Sequence, residues 1–115
     1  MFFLDYETTG LNPYYNEPIE LAIKKMDSDK YYQSLIIPEL NGINYQYIPS
    51  KIQEITGITD EDIVKSGKDI NDVAKECLEY IKNSSEDGPI YILAHNGHLF
   101  DFIFLKYNYM ICICF

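Results

Sequence analysis

The sequence predicts an α/β domain with a mixed sheet, in the order β-β-β-α-β-α. Three observations predict it. Short β-branched and aromatic runs crowd the chain up to Ile37. Residues 69–83 then carry a helical apolar stripe. Beyond them lies one more apolar run, Ile90 to Ala94. A helix between two strands favours a right-handed crossover, so this last strand is expected to lie parallel to the first.

Each element has its own signal. Phe2 to Tyr6 is an apolar and aromatic run that ends in polar positions and Gly10, and it reads as a buried strand. Thr8 to Pro18 reads as loop, punctuated by Gly10, Asn12-Pro13 and Pro18. Ile19 to Lys24 alternates as a second strand. Asp27-Ser28-Asp29 marks a turn, and Tyr31 to Ile37 follows as a third strand that Pro38 ends. The short turn implies antiparallel pairing.

Asn41 to Pro49 reads as irregular, and Ile52 to Ile58 as a short apolar stretch reaching Gly57. Thr59 looks like a helix N-cap, with Asp62 three residues on and acids in the first turn. In the helix expected over Asp69 to Asn83, Ile70, Val73, Ala74, Cys77, Leu78 and Ile81 fall on one stripe. Ser84 to Pro89 is loop. Ile90 to Ala94 is apolar and β-branched enough to suit a central strand. After Asn96-Gly97 a helix is expected from about Phe100, and its last part, Tyr107 to Phe115, is nearly all apolar or aromatic with no stop signal.

Composition narrows the classes. The 115 residues, 47% hydrophobic and 23% charged, suit one globular domain rather than a disordered chain. No apolar run reaches the roughly 18 residues of a membrane span. The N-terminus lacks the basic region of a signal peptide. The reading is therefore an intracellular protein without membrane contact. Cys77, Cys112 and Cys114 make an odd count, which suggests reduced thiols, and their spacing is not that of a zinc site. Nine basic residues against 18 acidic ones leave a formal charge of −9. A protein that grips a nucleic-acid backbone by charge alone is usually basic. Either bound cations change the local sign here, or the chain binds no nucleic acid.

In an α/β sheet, sites form at the carboxyl ends of parallel strands. The first and fourth strands end at Asp5-Tyr6-Glu7 and Ala94-His95-Asn96. Residues two apart on a strand face the same way, which puts Asp5 and Glu7 on one face, about 6.6 Å apart along the chain. Two solvent-exposed acids at a strand end would satisfy the same pattern. Acids are poor strand formers, however, and these follow an apolar run. Unpaired buried charge is costly, and hard divalent cations with oxygen ligands resolve that cost. Two such ions about 4 Å apart can clamp the attacking and leaving oxygens of a phosphoryl transfer.

Here the sequence resembles a known family. Phe3-Leu4-Asp5-Tyr6-Glu7-Thr8-Thr9-Gly10-Leu11 is similar to the first motif of the DEDD 3′→5′ exonucleases, the group of the DnaQ-like proofreading subunit and ribonuclease T. The form D-x-E-T-T-G-L is closest to the histidine-bearing subgroup. Ala94-His95-Asn96-Gly97-His98-Leu99-Phe100-Asp101-Phe102-Ile103-Phe104-Leu105 resembles that family's A-H-N-x-x-x-F-D-x-x-F-L motif. Between them, Ile55-Thr56-Gly57-Ile58-Thr59 resembles its G-I-T turn. The three matches come in order and span Phe2 to about Leu105.

The resemblance implies a ribonuclease-H-like fold and hydrolysis of DNA or RNA from a 3′ end with two Mg²⁺ or Mn²⁺ ions. Asp5 would bridge both ions, Glu7 would ligate one, and Asp101 would hold the second directly or through water. Thr8, Thr9, Gly10 and Leu11 would line the 3′-terminal nucleotide through backbone N–H groups and an apolar contact. Phe100 would pack against a base or against the core. Asn96 would order its loop or simply close a side-chain turn. His95 and His98 lie inside the second motif, where the resemblance assigns no base, and read as loop or capping residues.

One departure stands out. The family closes its site with a third motif, H-x-x-x-x-D or Y-x-x-x-D. The fourteen residues after Asp101 contain no His, Asp or Glu. A water nucleophile needs a base within reach. Residues 1–115 are therefore expected to form a partial exonuclease domain, incomplete at the C-terminus and weak or inactive alone. The alternative is a catalytically silent module that keeps the acidic face for binding nucleic acid or protein.

Overall fold

The computed structural model describes residues 1–10, 16–38, 47–85 and 90–94. Strands β1 (Phe2–Thr8), β2 (Pro18–Lys25) and β3 (Tyr31–Leu35) come first. Helices α1 (Ser50–Thr56), α2 (Asp60–Ser66) and α3 (Ile70–Ser84) follow, and then strand β4 (Ile92–Leu93). The four strands form one mixed sheet in the order β3-β2-β1-β4. β1 pairs antiparallel with β2 and parallel with β4, and β2 pairs antiparallel with β3. The predicted topology is therefore observed over the described residues. The helix expected from Phe100 lies outside them.

β1 alternates strictly. Phe2, Leu4, Tyr6 and Thr8 are buried, whereas Phe3 and Asp5 are exposed and Glu7 is half-buried. That period of two divides core from open face. The buried side meets Leu21 and Ile23 of β2, Ile92 of β4, and Val73, Cys77 and Ile81 of α3. Apolar burial of this kind contributes about 25 cal/mol per Å² removed from water. The expected stripe on α3 is thus the face that packs, with Ile70 and Ala74 half-buried beside it. Leu78, at 37% exposure, sits at its margin. Asp69 caps the helix, its carboxylate accepting from the Asn71 N–H at 2.8 Å.

Two short helices build a second core around Ile19, Ile48, Ile58 and Ile63. The predicted N-cap of α2 is a full capping box: the Asp62 N–H donates to the Thr59 hydroxyl, and the Thr59 N–H donates to the Asp62 carboxylate. The stretch expected only to be apolar near Ile52 is helix α1. It ends at Gly57 in the left-handed region (φ 74°), a conformation that costs glycine no side-chain clash.

The remaining differences are of length and place. β1 runs two residues past Tyr6, to Thr8, because its partner β2 starts at Pro18. β3 ends at Leu35, after which Ile36 bridges to Lys68. β4 holds two residues of the expected five and is the outermost strand among the described residues, not a central one. The interior places belong to β1 and β2.

Candidate active site

The site is built on the open face of β1. In an antiparallel pair, residues directly opposite each other point to the same side. Asp5 lies opposite Ala22, and Ala22 opposite Gln33. Glu7 lies opposite Glu20, and Glu20 opposite Leu35. One row back, Phe3 lies opposite Lys24 and, on the other side, beside Leu93 of β4. Asp5 and Glu7 therefore share a face, as the two-residue spacing predicts. Asp5 is open to solvent, and Gln33 Nε2 donates to Glu20 Oε2 at 2.9 Å.

Just past Glu7 the register of β1 against β2 shifts, so that Thr8 lies opposite Pro18. Pro18 has no N–H to give the ladder, which suits the first residue of a strand. Irregularities of this kind often re-aim side chains beside active sites. The segment after the shift is tied to itself. The Thr8 hydroxyl donates to the Gly10 carbonyl. The Thr9 N–H donates to the Glu17 carbonyl at 2.8 Å, and the Glu17 N–H returns a bond to the Thr9 hydroxyl at 2.9 Å. Thr8 is 6% exposed and faces the core. Both hydroxyls and the Thr9 amide thus close the loop on which the acids end. A Cβ at Gly10 would come within 2.6 Å of Asn16 Oδ1, the end of a side chain that would have to turn aside.

Leu11, Asn96, Phe100 and Asp101 lie outside the described residues, as do His95 and His98. Of the three predicted metal ligands, the described structure brings together Asp5 and Glu7. Their carboxylate oxygens fit a hard divalent cation in donor type and in exposure. Among the described residues, no group of three or more His, Cys, Asp or Glu side chains could hold a metal ion. Two positions on this face escaped the sequence reading, Glu20 and Gln33. Glu20 counted there only as the polar step in the alternation of Ile19 to Lys24. Its place opposite Glu7 depends on strand register, which one sequence does not display.

Two groups with shifted titration, Tyr32 and Glu76, lie on the far side of the sheet. Lys68 Nζ contacts the Glu76 carboxylate at 2.6 Å and holds it below the usual carboxylate range. The Tyr32 hydroxyl donates to the same carboxylate at 3.1 Å. Burial, with the Glu76 charge beside it, pushes Tyr32 up to about 12. This cluster ties α3 to β3 and takes no part in the acidic face.

Comparison with known proteins places the chain. Residues 2–113 match the RNase T exonuclease family model. DNA polymerase III PolC-type from Thermotoga petrophila is 36% identical over 106 residues, which cover 90% of this chain and 7% of that protein. The Bacillus subtilis protein of the same name is 33% identical over 105 residues, covering 91% of this chain and 6% of its own length. The chain thus spans under a tenth of the polymerases it matches. Among solved structures, E. coli exonuclease I in complex with a dT13 oligonucleotide superposes with a TM-score of 0.71 at 22% identity, covering 93% of this chain and 22% of the other. Its zinc-bound single-stranded DNA complex gives a TM-score of 0.72 at 21% identity, covering 93% and 22%. Those likenesses establish the ribonuclease-H-like fold.

Proposed function

The chain belongs to the exonuclease family whose model it matches, and from that premise we propose that it removes nucleotides from DNA 3′ ends by two-metal hydrolysis, as part of a longer replicative enzyme. The observation that carries this reading is the shared open face of Asp5 and Glu7 at the end of an interior strand. The PolC-type relatives, named as DNA polymerases, favour DNA over RNA.

In this reading Asp5 and Glu7 would hold Mg²⁺ or Mn²⁺, with Asp101 as a further ligand. When bound, the ions would supply a polarised water and charge neutralisation at the scissile phosphate. The chain's own part is to orient. β1 fixes the two carboxylates, and the self-tied segment from Thr8 to Gly10 would line the terminal nucleotide, with Leu11, Asn96 and Phe100 as its further proposed contacts. The fourteen residues after Asp101 contain no His, Asp or Glu, so this reading assigns none of them as the base that activates water. That same fact favours a second reading, a silent binding module.

Calorimetric titration with Mn²⁺ tests the site. Asp5→Ala is expected to abolish binding that the unmodified chain shows, and equal affinity in the two would remove the metal site. A 3′-labelled oligonucleotide with Mn²⁺ separates the two readings of turnover. This chain alone is expected to degrade it slowly or not at all. Efficient degradation would show that a base is present after all.

A further inference from the structure

The open face of the sheet carries more than acids. One of its rows reads Phe3 on β1, Lys24 on β2 and Tyr31 on β3, since Phe3 lies opposite Lys24 and Lys24 opposite Tyr31. Residues directly opposite each other point the same way. Both rings are therefore on the side of Asp5. Phe3 is 45% exposed and Tyr31 63%, so neither ring is spent on the core. Lys24, between them, is open to solvent as well.

A single exposed apolar side chain needs no explanation. What counts here is the order ring, ammonium, ring, and its distance from the acids. Two strand spacings separate Phe3 from Tyr31, about 9.6 Å. Phe3 and Asp5 are two residues apart on β1, about 6.6 Å. A base stacks on an aromatic ring whatever its identity, and the phosphate between two bases is drawn to a cation. The row offers those three groups in that order, one step along β1 from Asp5.

We propose that this row is a path for the single DNA strand behind the 3′ end, with one base on Phe3, the next on Tyr31 and the phosphate between them on Lys24. The inference rests on the reading of Asp5 and Glu7 as the place where that end is cut. It extends the site from the terminal nucleotide to the two before it. The path leaves the sheet at β3, the outermost strand on that side among the described residues. Stacking supplies most of the grip, so a chain of formal charge −9 needs only one lysine along it.

Calorimetric titration in the presence of Mn²⁺ tests the path, with an unlabelled thymidine dimer, which ends before Tyr31, and a hexamer, which reaches past it. Tyr31→Ala is expected to weaken hexamer binding roughly fivefold or more, as loss of one base–aromatic stack would, and to leave the dimer unchanged. Phe3→Ala should weaken both. Tyr31→Phe keeps the ring and should bind like the unmodified chain. Lys24→Gln should lower the slope of log affinity against log salt concentration by about 0.7, the value for one phosphate contact on a single strand. Unchanged hexamer binding in Tyr31→Ala and Phe3→Ala, with Asp5→Ala abolishing it, overturns the path and leaves the carboxylate site standing. A Tyr31→Ala chain that melts well below the unmodified one and binds dimer and hexamer equally weakly makes the row a packing surface for other residues, and overturns the proposal too. An unmodified chain that binds neither oligonucleotide removes the path and the exonuclease reading together.

Discussion

The Tyr80 hydroxyl accepts a hydrogen bond from the Lys25 N–H at 2.9 Å and so ties α3 to the end of β2. The same hydroxyl donates to the Lys30 carbonyl at 2.9 Å, which closes the β2–β3 turn from the helix side. The ring packs edge-on against Phe2, with centroids 6.0 Å apart. Tyr80→Phe keeps the ring and removes both bonds. It should cost about 1–2 kcal/mol, since a typical net hydrogen bond contributes about 1 kcal/mol. Urea unfolding followed by circular dichroism measures this, and an unshifted midpoint would mean that the hydroxyl contributes nothing.

The Tyr32–Glu76–Lys68 cluster sets two limits of pH. Tyr32 is raised in the folded state to about 12, chiefly by burial. Its contribution is complete below about 10, the ordinary tyrosine value, and is lost as pH rises through about 12. Glu76 is lowered, chiefly by Lys68. Its contribution is present above the ordinary carboxylate range and lost as pH falls through the lowered value. In Glu76→Gln, part of the acid limb of the stability profile should flatten. Tyr32 should then titrate at lower pH yet still above 10 (burial, not Glu76, is its main cause). Carbon-13 tyrosine signals followed against pH would show it, and a Tyr32 titration unmoved by the substitution would detach the two groups.

Gly67 is where helix α2 stops. Its N–H donates to the Ile63 carbonyl at 2.8 Å, and a Cβ there would meet that carbonyl oxygen at 2.5 Å and an Ile37 side-chain carbon at 2.9 Å. The first clash is with backbone, which cannot step aside cheaply. Gly67→Ala is therefore expected to destabilise by about 1–3 kcal/mol, within the range of strain-type substitutions. Thermal melting that matches the unmodified chain would show that the second core yields easily.

Where local chemistry decides the structure, the sequence was readable. The stripe on α3 and the Thr59–Asp62 box both lie within a few residues of one another, and both appear as expected. Helix α1 was not readable. It has no side-chain cap and no buried residue. Part of what holds it comes from beyond the helix, where the Asp60 carboxylate accepts from the Ile48 N–H at 2.8 Å and from Gln53 Nε2 at 3.1 Å. The site divides in the same way. Strand periodicity alone puts Asp5 and Glu7 on one face. Glu20 and Gln33 join that face through the register of three strands, and such pairings are set by the assembled sheet rather than by neighbouring residues.

The charge on the acidic face yields the last prediction. A chain of formal charge −9 repels a phosphate backbone, and Asp5, Glu7 and Glu20 concentrate that repulsion on the site itself. Divalent cations held there would reverse the local sign and leave the rest of the surface unchanged. Association of a fluorescent single-stranded oligonucleotide should therefore appear with Mn²⁺ and vanish with EDTA. Asp5→Asn removes one negative charge together with a proposed ligand. It should lose the Mn²⁺-dependent component, while any weak binding in EDTA stays level or rises slightly. Fluorescence anisotropy reads both quantities. Equal binding with Mn²⁺ and with EDTA would mean that the nucleic acid is gripped elsewhere, by the nine basic side chains, and not across the β1 carboxylates.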